Sequence, residues 1–368
     1  MKKNSIRHQN PSRGEQVRQS ITIGMDLGDR TSRYCALDGR GEVREGSVAT
    51  TPRAMRQKFG SRARCRIAME VGAHSRWVSR LLRELGHEVF VANARQVRLI
   101  THSTRKDDRL DAQTLARLAR VDPQLLRPIR HRGEEAQADL TVIRMRAGLL
   151  DARTKLVNLV RGTVKGFGER LAKCDADRLG GEHGQALPEP LRETLKPVLE
   201  QIESLTERIR QYDVKLEQIA RTKYPETELL RQVSGVGILI ALTFVLTLED
   251  AARFSRSREV GCYVGLRPKR SESGQRQPQL GISKEGDRYL RKLLVQGAHL
   301  IVQRRAPDTD LKRWGLKLAE RGGRNAKKRA IVAVARKLAV LLHRLWATAE
   351  VYEPLRNSRA RERLRTAA

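Results

Sequence analysis

Aromatic side chains are scarce in this chain: Phe, Trp and Tyr make up 4% of its 368 residues. A nucleic acid read chiefly by base stacking needs many such rings, so recognition is left to phosphate contacts and duplex shape. Cysteine is nearly as rare. The four thiols, Cys35, Cys65, Cys174 and Cys262, show no CxxC spacing and the eight histidines offer no ligand-like pair, which argues against disulfides and structural zinc. Long apolar runs are missing too. The longest, "VGILIALTFVLTL" at 236–248, is too short to span a bilayer, and the basic N-terminus lacks a signal-peptide core, so no membrane partner and a cytoplasmic location are expected. Acid is outnumbered. Lys and Arg total 74 against 42 Asp and Glu, a formal net charge of +32, which points to a polyanionic partner.

Against that background the stretch "KDDRLDAQTLARLAR" at 106–120 gathers Asp107, Asp108 and Asp111. Asp108 and Asp111 stand three apart at the head of a helical pattern that continues through Leu115 and Leu118, so the two carboxylates share the apolar, inward face. A carboxylate held inward needs a partner. Arg105, Arg109 and the positive end of the helix supply one solution, a structural ion pair; a metal ion is the other.

The length predicts two or three domains. Residues 1–18 read as a basic, disordered arm. "ITIGMDLG" (21–28) alternates as a strand, "RYCALDGRGEV" carries an Asp-Gly turn, and "GEVREGSVAT" returns as a further strand of an antiparallel meander. "RCRIAMEVG" (64–72) is a strand, "SRWVSRLLRELG" (75–86) an amphipathic helix closed by Gly86, and "HEVFVAN" (87–93) a strand. These elements predict an α/β domain over 19–135.

Beyond it, Leu140, Ile143, Ala147, Leu150, Thr154 and Val157 follow heptad spacing. So does a second arm, 191–219, with Leu195, Ile202, Leu205, Ile209, Leu216 and Ile219. A helical, coiled-coil connector over 139–222 is expected, as an intramolecular hairpin, as a self-association device giving a homo-oligomer (dimer or tetramer), or as both. Pro225 ends it. A mainly α-helical domain over 226–348 follows. It opens on "SGVG", where Gly235 and Gly237 fit either a helix-hairpin-helix approach to a phosphate or a tight helix–helix turn. Between Arg253 and Lys292 there are 11 basic and 4 acidic residues, including Arg267, Lys269, Arg270, Arg276, Lys284 and Arg288, a density suited to phosphate contacts. A basic amphipathic helix (325–346) and a basic tail (349–368) close the chain.

Asp26 ends the first predicted strand and Glu70 the fourth. With Asp108 and Asp111 they make four carboxylates from three elements, which would repel one another unless cations lie between them. Such an oxygen-only set suits Mg²⁺ or Mn²⁺ and phosphoryl transfer.

The order "GMDLGDRTSRYCALDGRGEV", "IAMEVGAHSRWVSRLLRELGHEVFVANARQVR" and "STRKDDRLDAQTLARL" resembles the DEDD domain of the insertion-sequence 110/1111 transposases. "VSGVGILIALTFVLTLEDAARFSRSREVGCYVGLRPKRSESGQRQPQLGISKEGDRYLRKLL" resembles that family's C-terminal domain. The resemblance covers roughly 20–120 and 228–300. It implies a RuvC-like, RNase H-type fold, with Asp26, Glu70, Asp108 and Asp111 as metal ligands; the pattern of Lys, one residue, Asp, two residues, Asp, Ala favours Asp108 over Asp107. It places the serine nucleophile on Ser273, before Gly274 and after Pro268, with Ser271 as the nearby competitor. It also implies DNA strand cleavage and rejoining in a prokaryotic cell, acting at the nucleoid and guided by a structured RNA from the element, in an oligomer where the acidic site of one protomer meets the serine of another. A metal-dependent junction endonuclease that uses water, and a non-catalytic nucleic-acid binder, are the competing readings.

Overall fold

The computed structural model of the chain describes residues 21–93, 108–180, 183–184, 187–271, 278 and 280–358, with the backbone alone at 108 and 109. The chain divides into two compact units, Met1–His131 and Arg132–Ala368. The basic arm, Asp107, Ser273 and Arg276 lie outside the described residues, as does the second half of the tail, 359–368.

The first unit is built on a five-stranded sheet. Strands β1 (Thr22–Asp26), β2 (Thr31–Leu37) and β3 (Val43–Ala49) form the expected meander. Strands β4 (Arg66–Glu70) and β5 (Glu88–Ala92) then run parallel to β1, giving the order β3-β2-β1-β4-β5. This mixed sheet is consistent with an RNase H-like domain. The β2–β3 turn is held by Asp38, whose carboxylate accepts from the amides of Arg40 and Glu42 at 2.9 Å. That is an Asx-type closure.

Among the described residues of this unit three helices accompany the sheet: α1 (Pro52–Phe59), α2 (Ser75–Glu84) and α3 (Asp108–Val121). Helix α1 was not read from the sequence, although its start is a cap signal: Thr51 accepts from the Ala54 amide and Pro52 occupies the first turn. It buries Met55 and Phe59 in the core formed by Ile23, Met25, Ile67, Met69, Val78 and Leu82. Gly86, left-handed at φ 88°, follows α2 as expected of a helix-ending glycine.

In the second unit, α4 (Glu134–Gly166) and α5 (Glu189–Lys223) form an antiparallel hairpin. Lys223 Nζ reaches Asp139 Oδ2 at 3.1 Å, Arg146 Nη2 donates to Asp213 Oδ2 at 3.0 Å, and Arg153 Nη1 donates to Thr206 Oγ1 at 3.1 Å, partners that run in opposite directions along the two helices. Leu195, Ile202 and Leu216, expected on an association seam, are buried within the chain. Polar pairs in mid-seam fix its register.

Among the described residues the chain continues through α6 (Glu226–Arg231), α7 (Ile238–Leu248), α8 (Arg258–Tyr263), α9 (Arg288–Val302) and α10 (Asp310–Glu320). The last is α11 (Ala326–Thr348). The apolar run at 236–248 becomes α7, buried from Ile240 to Leu248 between the hairpin base and the helical core. No helix among the described residues is long and apolar enough to cross a membrane. The basic amphipathic helix is α11, whose Ala330, Val334, Leu338, Leu342 and Leu345 face the core.

The "SGVG" turn links α6 to α7. Gly235 adopts φ 85°, and a Cβ there would stand 3.0 Å from the Gly297 carbonyl oxygen and 3.1 Å from Ile301. Its glycine is therefore accounted for by the approach of α9, the tight-turn reading. Gly237 remains exposed at the start of α7.

Candidate active site

Asp26 is the last residue of β1 and Glu70 the last of β4. Met25 pairs with Met69 in the parallel register, so the two acids leave adjacent strands at the same level. Side chains alternate along a strand, which puts Asp26 on the face of Gly24 and Glu70 on that of Ala68. Both positions face α3. Ala68 packs with Leu115 and Ala119, and a Cβ on Gly24 would collide with the Ala112 carbonyl and the Ala116 amide.

The direction of α3 decides which of its ends meets the acids. Ala119, near its C-terminus, accepts from Arg66 Nη1 at 3.1 Å, and Arg66 begins β4. The first turn of α3 must then lie toward the strand ends that carry Asp26 and Glu70. The packed face, Ala112, Leu115, Ala116 and Ala119, continues N-terminally to the half-buried Asp111, and position 108 is the helix's first residue. Strand ends and the start of α3 thus converge on one corner of the unit.

Neighbouring loops brace that corner. His74 accepts from Trp77 Nε1 at 3.1 Å through Nδ1, which leaves Nε2 to donate to Asp29 Oδ1 at 3.3 Å. This joins the loop after β1 to the loop after β4. Ser75 Oγ accepts from the Gly72 amide at 3.0 Å, donates to the Gly72 carbonyl at 2.8 Å and lies 2.9 Å from His131 Nε2.

Asp26, Glu70 and Asp111 each take part in polar or electrostatic interactions. Among the described side chains no three His, Cys, Asp or Glu residues are already drawn into a metal-ligating cluster. Carboxylates from β1, β4 and α3 offer hard oxygens only, a chemistry that fits a divalent cation.

The second group of candidate residues lies on a hairpin in the second unit. Pro268 bridges Ile282, the Lys269 amide donates to the Gly281 carbonyl at 2.9 Å and the Ser283 amide to the Arg267 carbonyl at 2.8 Å. In sequence Ser273 falls between the two arms, outside the described residues. Arg267, Lys269, Arg270 and Ser271 are exposed on one arm; Lys284 is exposed on the other, and Arg288 is exposed as the first residue of α9.

Sequence reasoning missed the contact between Gly24 and α3. Its signal was a glycine inside a strand together with alanines four residues apart on a helix, a pattern of close backbone approach.

Comparison with known proteins identifies the class. A DEDD-type family model described as "Transposase" matches residues 23–168, and a second, "Transposase IS116/IS110/IS902 family", matches residues 227–313. The chain is a transposase, an enzyme that cuts and rejoins DNA. It is 28% identical to the transposase for insertion sequence element IS1111A of Coxiella burnetii over 343 residues, 90% of each chain. It is 30% identical to a probable family 20 transposase of Pseudomonas aeruginosa over 298 residues, 79% of this chain and 86% of that one. A transposase for IS1328 of Yersinia enterocolitica is 30% identical over 246 residues, 65% of this chain and 72% of the other. The chain belongs to the IS110/IS1111 family of transposases.

Proposed function

We propose that this transposase cleaves and rejoins DNA strands with a divalent cation held by Asp26, Glu70, Asp108 and Asp111 and with Ser273 as nucleophile. The observation that carries the reading is the delivery of Asp26 and Glu70, at one level of two adjacent parallel strands, to the face covered by α3. When bound, the cation neutralises charge on the scissile phosphate. Ser273 Oγ attacks phosphorus, the bond to the leaving deoxyribose oxygen breaks, and the serine proton passes to that oxygen by way of solvent. The phosphoserine ester keeps the bond energy, so a hydroxyl of a second strand can displace Oγ and rejoin the DNA without an energy source. The exposed Arg267, Lys269, Arg270, Lys284 and Arg288, with Arg276 and the exposed Gly237, contact the phosphate backbone.

An element-encoded structured RNA supplies sequence recognition, which agrees with a chain rich in cations and poor in stacking rings. The protein acts as a homo-oligomer. The intrachain burial of Leu195, Ile202 and Leu216 moves any self-association from that seam to other faces of the hairpin.

The test is cleavage of DNA carrying the element's ends, with Mg²⁺ or Mn²⁺ and the RNA that copurifies with the protein. Ser273→Ala should abolish cutting and the covalent protein–DNA adduct. Cutting at the wild-type rate would instead assign water as the nucleophile, the chemistry of a metal-dependent endonuclease.

A further inference from the structure

The second unit contains a basic cavity, walled in part by the hairpin arms, whose cations other than Lys284 the transposase chemistry above leaves unassigned. It has a volume of about 660 Å³ and lies between Leu266, Pro268, Leu280, Ile282 and Lys284 on one side and the turn from α10 into α11 on the other. We propose that it receives one nucleotide of an unpaired nucleic-acid strand, with the phosphate on the basic side and the base against the apolar wall. The proposal takes its substrate class from the transposase reading and adds a subsite to it.

Lys284, Arg321, Arg324, Lys328, Arg329 and Arg336 line the cavity, and among its described lining residues none is acidic. So many cations in one concavity repel one another unless an anion is present. The opposite requirement comes from Leu280, Ile282, Leu318 and Val332, which line the same space and offer aliphatic surface to a flat, weakly polar body. A free phosphate uses only the first set, and an apolar ligand only the second. A nucleotide uses both. The volume is also that of a small-ligand pocket rather than of a duplex groove, and a base can enter such a space only when it is out of the helical stack.

Several of the cations are already held in place. Arg336 is braced against Gly261, where a Cβ would meet its Cγ at 3.0 Å and its Nε at 3.2 Å. Arg329 Nη2 donates to the Gly322 carbonyl at 3.3 Å. Two non-glycine residues with left-handed backbones border the cavity, Lys284 at φ 58° and Asn325 at φ 63°, a kind of strain that collects at ligand clamps. Asn325 provides no side-chain cap to α11, so the positive end of that 23-residue helix adjoins the same space. Aliphatic walls for the base also fit a chain with few aromatic rings.

The experiment uses the full-length protein and fluorescence anisotropy with short single-stranded DNA, single-stranded RNA and duplex DNA of one sequence. The exposed set R321Q/R324Q/K328Q should weaken single-strand binding about 10-fold and lower the salt slope by about 0.7, as loss of contact with one phosphate requires. Ala326→Trp, which fills the cavity from its rim, should weaken single-strand binding and spare duplex binding. Wild-type protein irradiated with strands carrying thiothymidine or 4-thiouridine should crosslink through peptides that contain Leu318 or Val332. The DNA and RNA arms then tell which strand occupies the site. Unchanged affinity in both variants, equal loss for duplex and single strands, or crosslinks confined to other peptides would overturn the proposal. Asp26→Asn keeps the two readings separate. If it cuts at the wild-type rate while the cavity variants lose strand binding, the catalytic assignment falls and the cavity stands; the reverse pattern removes the cavity alone.

Discussion

Helices are seated in opposite ways in the two units. In the first, α3 reaches β1 because side chains are absent: Gly24 lies under Ala112 and Ala116, and backbone meets backbone. In the second, α4 and α5 are spaced by Val157, Val160, Leu195, Leu199 and Ile202, and the seam is filled with branched side chains. A contact between backbones has almost no freedom to adjust, whereas an aliphatic seam can repack around a lost methylene. The difference matches the tasks proposed for the two regions. Carboxylates that share a cation must be positioned to a fraction of an ångström, while a helical hairpin needs only a stable length and register.

The largest expected effect tests the position of the acids. Asp26→Asn keeps size and polarity but removes a ligand charge, and should slow DNA cleavage by roughly 10³-fold or more, equivalent to about 4 kcal/mol of transition-state stabilisation. Thermal melting should be little changed; cleavage near the wild-type rate would remove Asp26 from the site.

Next in size, Ile202→Glu puts a charge at a fully buried seam position and should destabilise the second unit by about 3–5 kcal/mol, read from denaturant unfolding. A mutant that melted like wild type would contradict the intrachain hairpin. Gly24→Val should cost about 3 kcal/mol by overpacking the first unit and should reduce cleavage as well, because α3 carries Asp111. If the comparison is right, Val157→Leu in the hairpin, a smaller enlargement at a seam that can adjust, costs less than about 1.5 kcal/mol.

The smallest effect is in pH. Cys65 is buried, and burial pushes its thiol well above the ordinary thiol range, to about 11, partly opposed by the positive charge of Arg62. A group whose folded value is raised contributes stability below its unfolded value and loses it as the pH climbs through the folded one. Stability should therefore fall by about 1–2 kcal/mol between pH 9 and 11. Cys65→Val should flatten that decline in alkaline melts. The surroundings of Cys65 are structural: its amide donates to His87 Nδ1 at 3.4 Å, leaving Nε2 of the ring to donate to the Phe59 carbonyl at 3.1 Å.

Legibility in the sequence followed the range of the interactions involved. The meander, the helix ending at Gly86, the heptads and the amphipathic C-terminal helix were readable because each depends on neighbours within a turn or a strand. Helix α1 was overlooked although Thr51 and Pro52 announce it, since its apolar face is only Met55 and Phe59 and looks like loop when unpacked. The heptads identified a seam without identifying its partner, because identical spacing serves a hairpin and a dimer alike. "SGVG" was ambiguous for the same reason. Only the approach of Gly297 and Ile301 shows what Gly235 accommodates.

For the acids the division is sharper. Sequence alone determined that Asp26 and Glu70 end strands, that Asp108 and Asp111 head a helix, and that so basic a chain needs a polyanion, since charge and short-range periodicity are properties of the chain itself. Tertiary structure decided that β1 and β4 are parallel neighbours, that Asp26 and Glu70 stand at one level, and that α3 lies with its first turn over their ends. It also assembled the cavity from residues as far apart as Leu266 and Arg336. Strand register and helix direction are set by contacts between segments distant in sequence, and no local pattern encodes them.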